Sequence, residues 1–131
     1  MALYKTYTTM GIDPNEPKPE SMADMLHIKS KQERDNLIQT NKIVVIDNYT
    51  EWCGPCKQCA PQFAVLAKTY NSPGLCMLVK EDVDAKVGGH PVPIRGVPCF
   101  HFYINGHFQK DMTVTGADIN LVEQTLNKLM K

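Results

Sequence analysis

Apolar residues fall in short blocks along the chain, and the spacing inside each block points to an element. Ile43, Val44, Val45 and Ile46 are consecutive and β-branched, the pattern of a strand buried on both faces. A second buried strand is predicted over 75–79, entered through the turn residues Asn71, Ser72, Pro73 and Gly74. Between the two, Phe63, Leu66, Ala67 and Tyr70 recur at helical spacing, with Pro61 expected to kink that helix. Strand, helix, strand is a right-handed βαβ crossover. Upstream, Ser30 and Glu33 fit a capping box and predict a helix over 31–39, preceded by a short strand around 25–28. Downstream, segments 99–104 and 108–114 flank Asn105-Gly106, a strong hairpin signal. A last helix starts near Asp118 and carries Ile119, Val122, Leu126 and Leu129 on one face. The sum is an α/β domain, a mixed central sheet flanked by helices on both faces.

Residues 11–20 hold three prolines, alternating charges and no periodicity, so they read as a linker or loop. Residues 3–9 read as a short strand or a loose arm. The expected division is an N-terminal extension over 1–22 and one domain over 23–131. Lys and Arg number 14, as do Asp and Glu, which gives no electrostatic case for nucleic acid or an anionic membrane. No apolar run reaches the roughly 20 residues that span a bilayer. The first ten residues lack the charged-then-apolar order of a secretory signal, so a cytoplasmic, reducing setting is expected.

That setting bears on the five cysteines, Cys53, Cys56, Cys59, Cys76 and Cys99. In the stretch WCGPCK, residues 52–57, two thiols stand two apart across a rigid Gly54-Pro55. Three chemistries use such a pair: a reversible disulfide, half of a metal site, or a structural staple. The odd count and the reducing compartment argue against a staple. Cys53, Cys56 and Cys59, with Cys99, would supply four thiolates for zinc or an iron–sulfur cluster. Against that, sulfurs at successive i, i+3 positions drift around a helix, and Pro55 stiffens the loop. Cys59, Cys76 and Cys99 then read as small buried core residues. The pair itself sits where a strand hands over to a helix. There the unpaired N–H groups and the macrodipole favour Cys53 as thiolate and nucleophile, and Cys56, a turn deeper, as the resolving thiol.

WCGPCK in this setting resembles the thioredoxin family, and the resemblance covers about residues 24–130. Asp47, six before Cys53, matches the aspartate that the family buries beneath its disulfide, and Lys80 matches its lysine partner. Arg95-Gly96-Val97-Pro98 matches the loop whose proline is cis and faces the site. Pro61 and Gly116 match a helix-kinking proline and the glycine after the last strand. The resemblance implies a thioredoxin fold and a protein-disulfide reductase that works without cofactor or metal. It implies disulfide-bearing protein substrates, a recycling thioredoxin reductase, and a monomer. Catalysis falls to Cys53, Cys56, Asp47 and Lys80, and substrate contact to Trp52, Gly54, Pro55, Val97, Pro98 and Gly116. A buried Asp47 should have its pKa raised toward neutrality and take the proton of Cys56; a solvated turn aspartate is the plain alternative. Trp52 is expected to cover the disulfide rather than fill the core.

Three departures stand out. Tyr49 replaces a frequent second tryptophan, and Glu81 stands where an apolar residue is usual, which leaves the register of that strand end open. Residues 86–93, KVGGHPVP, are too rich in Gly and Pro for the short helix usual there. His90 within them is expected to be an ordinary exposed loop histidine, with a place near the substrate groove as the other reading. Rival functions for the same residues are a disulfide oxidase or isomerase, a metal-binding redox switch, and a non-catalytic interaction module.

Overall fold

A computed structural model describes residues 25–131, so the expectations for the N-terminal extension lie outside the described residues. Helix α1 spans Lys31–Thr40 and strand β1 Ile43–Tyr49, followed by helix α2 over Gly54–Tyr70 and strand β2 over Cys76–Asp82. Strands β3, β4 and β5 are Cys99–Ile104, His107–Phe108 and Val114–Thr115, and helix α3 is Ile119–Leu129. The sheet order is β2-β1-β3-β4, with β5 also paired to β3. β1 and β2 are parallel, while β3 runs antiparallel to β1 and to both short strands. This is the mixed, helix-flanked sheet of the thioredoxin fold.

Local chemistry explains the boundaries. Ser30 Oγ accepts from the Glu33 N–H at 3.0 Å and opens α1. Glu33 reaches back 2.7 Å to the N–H of Lys29, one residue earlier than the usual box. Asp118 caps α3 by accepting from the Leu121 N–H at 3.1 Å. Asn105 and Gly106 both have positive φ, 51° and 84°, as a tight hairpin turn of this hand requires.

Two expectations are corrected. The strand around 25–28 is only an isolated parallel bridge between His27 and Lys80, held by Lys80 N–H to Leu26 O and Ile28 N–H to Lys80 O. The single strand over 108–114 is broken: β4 and β5 pair with opposite ends of β3, and a 3₁₀ turn over Lys110–Met112 lies between them. The Asn105-Gly106 signal fixes the turn but not that the chain leaves β3 midway.

Alternation along the strands sorts side chains to two cores. Ile43, Val45, Leu78, Phe100 and Phe102 join Phe63 of α2 and Val122 and Leu126 of α3 on one face. Val44, Ile46, Val79 and Tyr103 join Ile38 of α1 on the other. Each fully buried Phe contributes about 1.5–3 kcal/mol through desolvation. Asp47 follows the first set and Glu81 the second, so the end of the sheet next to α2 carries one carboxylate on each face.

Candidate active site

β1 ends at Tyr49, and a short turn brings Cys53 to the N-cap of α2. Cys53 Sγ accepts the backbone N–H of Cys56 at 3.1 Å and lies 3.6 Å from the carbonyl oxygen of Val97. Cys53 and Cys56 are joined as a disulfide. Pro55 occupies the first turn of the helix, where its missing N–H costs nothing. Both cysteines are 4% exposed, so access alone does not separate them. Position does: the N-cap sulfur receives a backbone donor, which favours a negative charge there.

The facing wall is the segment before β3. The Val97–Pro98 peptide is cis. Pro98 is tied to the end of the neighbouring strand β5 by the Gly116 N–H, which donates to its carbonyl at 2.8 Å. Gly116 has φ +92°, a conformation that a side chain would strain. Trp52 is 72% exposed and so does not fill the core; its Nε1–H donates to Asp84 Oδ2 at 2.9 Å.

On β1, Asp47 is 1% exposed, and neither carboxylate oxygen has a hydrogen-bond partner among the described residues. Burial pushes its pKa up from 3.8 to about 7, and the nearby Lys80 charge offsets only part of that rise. The solvated-turn alternative is excluded by this burial. Lys80 pairs in register with Asp47, and burial lowers its own pKa. Its Nζ lies 4.2 Å from the centre of the Tyr49 ring, so the tyrosine that replaces tryptophan serves as a cation platform.

Burial pushes the Cys59 thiol up to about 11 and Cys76 to about 11, and raises Cys99 as well. These are protonated, inert core thiols. Cys59 lies one turn below Cys56, with its Sγ 3.6 Å from the Cys56 carbonyl. Among the described residues, no group of three or more His, Cys, Asp or Glu side chains is arranged to hold a metal ion.

The family model for thioredoxin matches residues 25–128. The chain belongs to the thioredoxin family. It is 37% identical over 108 residues to a thioredoxin of Neurospora crassa, covering 79% of this chain and 84% of that protein. Thioredoxin-3 of Dictyostelium discoideum is also 37% identical, over 80% of this chain and 96% of its own. Among solved structures, mitochondrial thioredoxin 3 from Saccharomyces cerevisiae superposes with a TM-score of 0.73 at 28% identity, covering 82% of this chain and 98% of that one. Thioredoxin from Plasmodium falciparum gives 0.68 at 33% identity, over 79% and 97%. With a disulfide at the family's active-site position, the chain is a thiol–disulfide oxidoreductase, a protein-disulfide reductase.

Sequence reasoning missed several partners. Asp84 is invisible in the sequence, since a lone Asp carries no signal of a tryptophan partner. Glu81 continues the β2 register without a break, opposite Asn48, and is fully buried. His90 is not a free loop histidine: its Nε2 lies 2.6 Å from Glu81 Oε2. An acidic residue in an apolar strand is itself the signal that cationic partners must be near.

Proposed function

We propose that this chain reduces disulfides of other proteins in two steps on one site. Cys53 thiolate attacks one sulfur of the substrate disulfide; the other sulfur leaves and takes a proton. The mixed disulfide between Cys53 and substrate is then attacked by Cys56, whose proton passes to Asp47. The second substrate sulfur leaves as a thiolate and takes up a proton, and the Cys53/Cys56 dithiol ends as the disulfide. A thioredoxin reductase returns two electrons and resets the pair. Lys80 modulates the charge of Asp47 and touches no substrate. Trp52, Gly54, Pro55, Val97, Pro98 and Gly116 form the docking surface, with the Val97 backbone pairing to an extended substrate segment. The unit works as a cytoplasmic monomer formed by residues 23–131, with 1–22 as an extension outside the catalytic domain.

The observation that carries this reading is the Cys53 sulfur at the head of α2, held by the Cys56 N–H and facing Val97, on a domain whose strand β1 buries an unpartnered Asp47. No metal or organic group enters any step. Insulin reduction driven by dithiothreitol is the test: the protein should accelerate precipitation of the reduced B chain, and Cys53→Ser should not. A wild-type protein without effect on insulin would refute the reading.

A further inference from the structure

Two of the departures from the family resemblance, Glu81 and the 86–93 segment, meet in space. Glu81 is fully buried and accepts from Arg34 Nη1 at 2.8 Å on one oxygen. His90 Nε2 lies 2.6 Å from its other oxygen. Arg34, of α1, is 1% exposed, and its Nη2 donates to the carbonyl of Gly88. One carboxylate and one guanidinium thus hold the loop at both Gly88 and His90. The loop lies so close at Gly89 that a Cβ there would come within 2.7 Å of Lys31 Cε and 3.0 Å of Arg34 Nη2, at a φ of +72°.

This anchor is connected to the active site by two routes. Along the chain, His90 and Val97 are separated by six residues, two of which, Pro91 and Pro93, have fixed φ. Across the sheet, Asn48 pairs with Glu81 on one side and Cys99 on the other. The Asn48 Nδ2–H donates to the Cys99 carbonyl at 3.0 Å, immediately after Pro98. Both ends of the 82–98 connection are therefore tied to buried polar groups. Stability alone does not account for them. A buried ion pair brings little net stability over well-packed apolar residues, and in some proteins such pairs fix geometry instead.

We propose that Arg34, Glu81 and His90 form a buried clamp that positions the 86–97 loop, and through it the Val97 backbone, for docking of an extended disulfide-bearing peptide. The clamp rests on the reading of the site as a protein-disulfide reductase. These are positioning residues, since none touches the reacting sulfurs. Their effect belongs to substrate docking and not to the thiol chemistry, so it should be confined to protein substrates.

Removing Glu81 would strand a buried guanidinium and threaten folding itself, so the informative variant is His90→Ala. Its KM for insulin should rise about three- to tenfold with kcat unchanged, the signature of lost docking. Its rate with a small aromatic disulfide, which needs no strand pairing, should equal wild type. Amide exchange over 86–97 should quicken, and His90→Gln, which can still donate to Glu81, should recover most of the loss. Gly89→Ala, which pushes the loop off α1, should copy His90→Ala. An unchanged KM for insulin in a folded His90→Ala protein would overturn the clamp. Equal slowing of insulin and the small disulfide would overturn it too, because the damage would then lie in the chemistry. Failure of the underlying reading would show separately, as wild-type protein that leaves insulin unreduced.

Discussion

Asp47 and Lys80 are register partners on adjacent parallel strands, both on the α2 face, yet the carboxylate takes no hydrogen bond from the ammonium. Lys80 lies instead over the Tyr49 ring. The two charges act on each other only through the field, which is too weak to cancel the burial of Asp47. The result is a carboxyl that titrates near neutrality, the range where a proton acceptor for a thiol is most useful.

Asp47→Asn should keep the fold but slow the resolution step and substrate release, because an amide cannot accept the Cys56 proton. The inflection near pH 7 in the rate of reduction should vanish. A pH–rate profile unchanged from wild type would remove Asp47 from the mechanism.

The same carboxyl should cost stability. Its pKa is about 7 in the folded chain against an ordinary 3.8, so the folded chain retains a proton that the unfolded chain releases between those values. The contribution is complete below about pH 4 and lost as pH rises through 7. Asp47→Ala should therefore be more stable than wild type above pH 7, by on the order of 3 kcal/mol after allowing for a small cavity. Denaturant unfolding at pH 4 and pH 8 checks this; a difference that does not grow with pH would contradict it.

His101 predicts the opposite slope. It is 1% exposed, packs edge-on to Phe108 at 5.0 Å, and leaves Nε2 without a hydrogen-bond partner among the described residues. Burial, then the facing His90 and Arg34 charges, lowers its pKa to about 4, with Glu81 opposing. Stability is present above about pH 6.5 and lost as pH falls toward 4. His101→Phe should flatten this acid limb, by up to about 3 kcal/mol. The Asp47 slope opposes it over the same window, so the comparison is cleanest in an Asp47→Ala background.

In the dithiol form, Cys53→Ser should abolish turnover, and Cys56→Ser should retain attack and accumulate mixed disulfides. Iodoacetamide at neutral pH should label Cys53 first, because the Cys56 N–H stabilises its thiolate. Faster labelling of Cys56 would reverse the assignment.

Much of this molecule was legible in its residues. The β-branched run at 43–46, the helical spacing of Phe63 to Tyr70 and the Asn105-Gly106 turn each point to one element, and local chemistry agrees with tertiary packing at each. The cysteine pair was legible because its position, strand to helix, is a local fact. The Arg34–Glu81–His90 cluster was not, since its members lie 47 and 9 residues apart and only the folded topology brings them together. The break between β4 and β5 was hidden for a similar reason: pairing to opposite ends of β3 is decided by the partner strand, not by the segment's own alternation.

Cys59, Cys76 and Cys99 lie inside the fold, and the other two sulfurs are bonded to each other. Oxidised and intact, the protein therefore offers a thiol reagent almost nothing to modify. Opened by heat, denaturant or a translocating machine, it offers three reactive groups at once. Each molecule that opens during an alkylation pulse thus keeps a tally of that opening, readable by mass. The two sulfurs that exchange electrons leave that tally unmarked as long as they stay paired.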